Sequence, residues 1–152
     1  MSTNGKRFLG AATGAVICAV ARFGVAIGFI YYVSSQGGKW WSGAQEFYWA
    51  ASISALMGIP IGGVAGWTCK PMLGTVIGAA LSGGTCFGLF VLPTEMMIGM
   101  SHPGGFDRVE SLEVLGGFLA MIIAGAIAGG LGAAIGELAG ANRDPNKTEN
   151  SP

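Results

Sequence analysis

The sequence predicts an all-α integral membrane protein, a four-helix transmembrane bundle closed by Gly-rich (GxxxG) packing. Three observations predict it. Hydrophobic residues make up 51% of the 152 positions and charged residues only 11%, against roughly 25% charged in soluble domains. The apolar residues fall in four long runs. Glycine, 28 residues in all, sits inside those runs without a Gly-X-Y period, so neither collagen nor a flexible linker fits.

The last run, 112–140, shows the design most plainly. Its only charges are Glu113 and Glu137, near opposite ends. Gly125, Gly129, Gly132, Gly136 and Gly140 are spaced four, three, four and four apart. On a helix those steps share one face, and bare backbone along a face lets a second backbone come close.

In chain order, a polar start, 1–7, ends in Lys6-Arg7 and is expected to be an N-terminal segment on the cytoplasmic side. A single four-span domain is expected over 8–141. Span one, 8–33, is interrupted only by Arg22; at 1.5 Å per residue it is ~39 Å long, enough to cross a ~30 Å core with some tilt. Ala19-Val20-Ala21 resembles a signal-peptide cleavage site that would remove 1–21. The apolar run resumes at once beyond Arg22, so an uncleaved span is expected. Tyr31, Tyr32, Trp40, Trp41, Phe47, Tyr48 and Trp49 surround the next short connection, as aromatic side chains do at a membrane–water boundary.

Span two, 47–68, carries Ala51, Ala55, Gly58, Gly62 and Gly66 on one face. Pro60 inside it is expected to bend the helix and to free the Leu56 carbonyl for a donor such as Ser52 or Ser54. Cys69-Lys70-Pro71 is so short that spans two and three form a tight antiparallel pair. Span three, 71–92, has a stripe of Gly74, Gly78 and Ser82, and a second of Gly84 and Gly88, which predicts neighbours on two sides. A polar connection over 94–112 leads to span four, 113–140. The tail, 142–152, is polar and expected to be disordered. GxxxG recurs as Gly10/Gly14, Gly24/Gly28, Gly62/Gly66, Gly74/Gly78, Gly84/Gly88 and Gly125/Gly129.

Four spans put both termini on one side. That side holds Lys6, Arg7, Lys70, Arg143 and Lys147; the other holds Lys39 and Arg108. The excess of short-loop cations places both termini in the cytoplasm, in the inner (cell) membrane if the source is bacterial. Asn146-Lys147-Thr148, a glycosylation acceptor pattern, would then stay bare.

The residues that invite chemistry are few. Arg22 lies deep in span one, where an arginine costs about 2.5–3.5 kcal/mol to insert. It either serves a polar cavity, an anionic group or another subunit, or it snorkels or bonds to carbonyls and hydroxyls such as those of Ser54 or Ser82. Glu137 lies in the last turns of span four, where a wet interfacial carboxylate is expected. His102, the only histidine, could help Asp107, Glu110 and Glu113 hold a cation, though a solvated acidic loop is the commoner arrangement. Cys18, Cys69 and Cys86 show no metal-ligand spacing and read as small, reduced hydrophobes. GxSxG, Walker and HExxH patterns are absent.

No catalytic, cofactor-binding or metal set is therefore expected, and the zero net charge gives no reason to expect nucleic acid. The expected partners are the lipid bilayer and either further copies of the chain or another membrane protein. The first functional reading is a non-enzymatic accessory or structural subunit. The alternative is a small oligomeric channel or transporter using Arg22. A membrane-embedded enzyme, with only Arg22, Glu95 and Glu137 to draw on, ranks last.

Overall fold

The computed structural model describes residues 3–35, 44–88 and 108–141. They form four helices and no strand: α1, Thr3–Ser35; α2, Ala44–Trp67; α3, Pro71–Cys86; and α4, Arg108–Ala141. The aromatic residues Trp40 and Trp41, the polar residues His102 and Asp107, and the whole tail from 142 lie outside the described residues.

Helix boundaries differ from expectation where local chemistry was decisive. Helix α4 begins at Arg108, so its first residues belong to helix where a connection was expected up to 112. Helix α1 runs unbroken through Ala19-Val20-Ala21. Helix α2 continues through Pro60 to Trp67. Pro60 and Leu56 both lie on its exposed face. The Ser54 hydroxyl turns to Met121 Sδ at 3.9 Å rather than back toward Leu56.

The α2–α3 turn is built by four residues, Thr68 to Pro71. Cys69 takes a left-handed conformation, φ 48°, at the place where helices commonly end on a left-handed residue. Its N–H donates to the Gly66 carbonyl at 3.4 Å, and Thr68 Oγ1 donates to the Ala65 carbonyl at 2.8 Å. Lys70 is extended, with Pro71 as the first helical residue. A residue before proline is driven out of the α region, and proline needs no N–H partner at a helix start.

The helices alternate in direction. Gly10 and Lys6 of α1 meet Gly136 of α4, and Gly10 meets Gly66 of α2, so the start of α1, the end of α2 and the end of α4 share one end of the bundle. Phe29 and Gly117 meet near the other end. Helix α1 packs on α2 and α4, α3 packs on α4 and less on α2, and α2 touches α4 across the centre. Helices α1 and α3 therefore stand diagonally opposite.

The interior is made of small side chains. Buried residues include Cys18, Ala51, Ala65, Ala128, Ala133, Ser54 and Ser82, together with the glycines that let backbones touch. A Cβ at Gly62 would land on the Gly14 carbonyl, one at Gly66 on the Gly10 carbonyl, and one at Gly78 on the Gly125 carbonyl. Gly58, Gly74, Gly129, Gly132 and Gly136 face backbone at similarly short range. The exterior carries the large apolar residues, among them Val16, Val20, Leu56, Val76, Ile123, Ile127 and Leu138. Large residues outside and small ones inside reverse the usual sorting of a water-soluble domain.

Two of the glycine pairs behave otherwise. Gly24 and Gly28 on α1, and Gly84 on α3 with Gly88 two residues past its end, are exposed, with nothing among the described residues within 4 Å of an added Cβ. The second stripe on α3 therefore faces none of the other described helices. Its first stripe, Gly74, Gly78 and Ser82, takes up α4.

Candidate functional site

Arg22 is the centre of the one buried polar cluster among the described residues. The glycine contacts of α1 with α2 bring the two backbones together below it, Gly10 to Gly66, Gly14 to Gly62 and Ala19 to Gly58. That close approach sets the register that lifts Arg22 level with Ser54. The contacts of α3 with α4, Gly74 to Gly129 and Gly78 to Gly125, bring Ser82 to the same height from the other side.

The guanidinium is fully buried, at 0% exposure. Its Nε donates to the Ser54 carbonyl oxygen at 3.0 Å, and its Nη1 donates to Ser82 Oγ at 2.9 Å. Ser54 Oγ in turn donates to Met121 Sδ at 3.9 Å, a long bond to a weak acceptor. One connected network thus spans α1, α2, α3 and α4. The diagonal helices α1 and α3, which hardly touch elsewhere, are joined through it. Cys18 and Cys86 are the other ionisable groups within electrostatic reach of Arg22. Both are free thiols buried among apolar neighbours: Cys18 with Ile61 and Ala128, Cys86 with Ala26, Ala51 and Met121.

The cluster is rich in donors and poor in acceptors. Arg22 Nη2 is buried without a hydrogen-bond partner. Among the described side chains the one carboxylate is Glu137, which is exposed and lies near the α1-start end of the bundle, one residue from Gly136. Glu137 and Arg22 are therefore not brought together. The side chains of Glu110 and Glu113, and residue Glu95, lie outside the description. No group of three or more His, Cys, Asp or Glu side chains with metal-binding geometry occurs among the described residues.

Sequence reasoning did not single out Met121, and it read Cys18 and Cys86 as small hydrophobes without placing them beside Arg22. Met121 stands four residues before Gly125 on the inward face of α4, and that periodicity is the signal that marks it. Cys86 stands four residues after Ser82 on the inward face of α3 in the same way.

Comparison with protein-family models, with curated proteins and with solved structures finds no match to this chain. Function therefore has to be argued from the packing and from Arg22.

Proposed function

We propose that the chain is a four-span membrane protein and a non-enzymatic structural subunit that joins further copies of itself through its open glycine pairs. The membrane step has two supports. Two helical stretches, Asn4–Phe29 and Leu115–Ala139, are long and apolar enough to cross a bilayer, and neither is mostly buried within the bundle. The small interior and the apolar exterior also suit hydrocarbon as solvent, where tight van der Waals packing of small residues holds helices together. Helix α1 remains uncleaved on this reading, because removing 1–21 would strip away Gly10, Gly14 and Cys18, which pack against α2 and α4. Lys6 and Lys70 lie at one end of the bundle, which the excess of basic residues assigns to the cytoplasm.

The observation that carries the subunit reading is the pair of exposed notches. Gly24 and Gly28 follow Arg22 by two and six residues. Gly84 and Gly88 follow Ser82, its hydrogen-bond partner, by the same two and six. Both notches thus lie about 3–9 Å beyond the same rung, measured along the helices, and toward the same end. Helices α1 and α3 run in the same direction on opposite sides of the bundle. A neighbour inserted with the same orientation presents its α3 notch at the height of this chain's α1 notch, with parallel helices, which is the geometry of a GxxxG pair. Glycine inside a helix costs backbone entropy; here no contact among the described residues offsets that cost, and a partner helix would.

The test is the mass of the protein purified in mild detergent. The expected species is larger than one chain. Gly24→Leu combined with Gly28→Leu is expected to reduce it to the monomer while leaving the helical content unchanged. A lone wild-type monomer in detergent and in crosslinked membranes would end this reading, and extraction into plain buffer would end the membrane step.

A further inference from the structure

We propose that Arg22 is the core of a small-anion site, for a halide of chloride size or smaller, enclosed by α1, α2, α3 and α4. Hydrogen-bond donors outnumber acceptors around Arg22. Arg22 brings a full positive charge into a site with no exposure to solvent. Burying an unpaired charge costs several kcal/mol, and no described carboxylate approaches it. Two neutral acceptors are used, the Ser54 carbonyl and Ser82 Oγ. Three kinds of donor remain poorly used. Nη2 has no partner. Ser82 Oγ accepts from Nη1, and its own proton reaches no acceptor among the described residues. Ser54 Oγ has only the Met121 sulfur, 3.9 Å away.

A monovalent anion in contact with Nη2 and the two hydroxyls corrects both imbalances at once. It supplies the counter-charge and the missing acceptor, and charge-assisted bonds to it are about twice as strong as neutral ones. The class of anion follows from the surroundings. Arg22 has no exposure and Cys18, Cys86, Ala51 and Ala26 are buried with it, an enclosure that favours a small ion over a phosphate or carboxylate and gives a lipid headgroup no access. A water molecule at the same place would satisfy Nη2 but leave the charge uncompensated. The site assignment stands on hydrogen-bond geometry alone, so it survives or fails independently of the self-association described above.

The experiment is an unfolding titration of the purified full chain in detergent, with chloride replaced stepwise by gluconate at fixed ionic strength. Gluconate is too large for the site. Chloride is expected to raise the unfolding midpoint, with the folded-to-unfolded ratio rising about tenfold for each tenfold increase in chloride beyond the dissociation constant. Fluoride is expected to substitute, and bromide and iodide much less. Arg22→Gln is expected to remove the chloride dependence. If that variant does not fold, Ser82→Ala serves: it keeps the guanidinium and is expected to need several-fold more chloride for the same response. Equal midpoints in chloride and gluconate for the wild type would overturn the proposal, as would an undiminished chloride response in Ser82→Ala.

Discussion

Replacing Gly62 by leucine is expected to abolish the folded bundle, the largest effect of any single substitution in this chain. The new Cβ would fall on the Gly14 carbonyl and against Cys18 Cβ. Overpacking a core by extra side-chain atoms costs about 1–3 kcal/mol because neighbours move or change rotamer. Backbone has no rotamer to change, so α1 and α2 must separate along the whole Gly10–Ala19 contact. The register that brings Ser54 to Arg22 is lost with it. The expected loss exceeds about 3 kcal/mol, read as the shift in reversible unfolding in mixed micelles. Gly24→Leu is the matched control: the same change on an exposed face of α1, with an expected shift within about 0.5 kcal/mol when measured at a dilution where the wild type is monomeric, as for surface positions generally. Equal shifts for the two variants would refute the packing account.

Arg22→Lys is expected to destabilise the bundle more than Arg22→Met does, against the order that charge conservation suggests. A single ammonium cannot reach the Ser54 carbonyl on α2 and Ser82 Oγ on α3 together, so lysine retains the buried charge with fewer bonds. Leaving a buried charge uncompensated costs about 3–5 kcal/mol. Methionine removes the charge and the unpartnered Nη2, and nothing is stranded by it. The Ser54 carbonyl keeps its helical acceptor role, and Ser82 Oγ can turn to the carbonyl four residues before it. Its expected cost is about 1 kcal/mol, the net worth of the lost hydrogen bonds. Measured in gluconate, to remove any anion contribution, the two variants should differ by about 2 kcal/mol or more. Methionine proving the worse of the two would mean that the network is worth more than its charge costs.

Much of the fold could be read from residue order. The apolar runs, the Cys69-Lys70-Pro71 stop and the inward stripes on α2 and α4 each follow from a local rule with a helical period. Arg22 stood out because a charge within an apolar run is expensive. The start of α4 could not be read, because Arg108, Glu110 and Glu113 are good helix formers with the composition of a loop, and composition alone cannot separate the two. The glycine pairs were illegible in a different way. Gly62/Gly66 and Gly24/Gly28 have the same spacing and similar neighbours, yet the first is pressed against a backbone and the second faces outward. A glycine has no side chain to record which neighbour it was chosen for.

Residue order by itself determined that this chain forms long apolar helices with glycine faces and one deep cation, because period and polarity are local properties of the chain. Only the tertiary structure decided which glycine faces are spent inside the bundle and which are left open. It alone decided that Arg22 ties four helices together instead of facing outward. Those outcomes depend on the register between helices distant in sequence, which is set by backbone contacts such as Gly14 with Gly62 and Gly78 with Gly125, and no spacing along one helix encodes a distance to another.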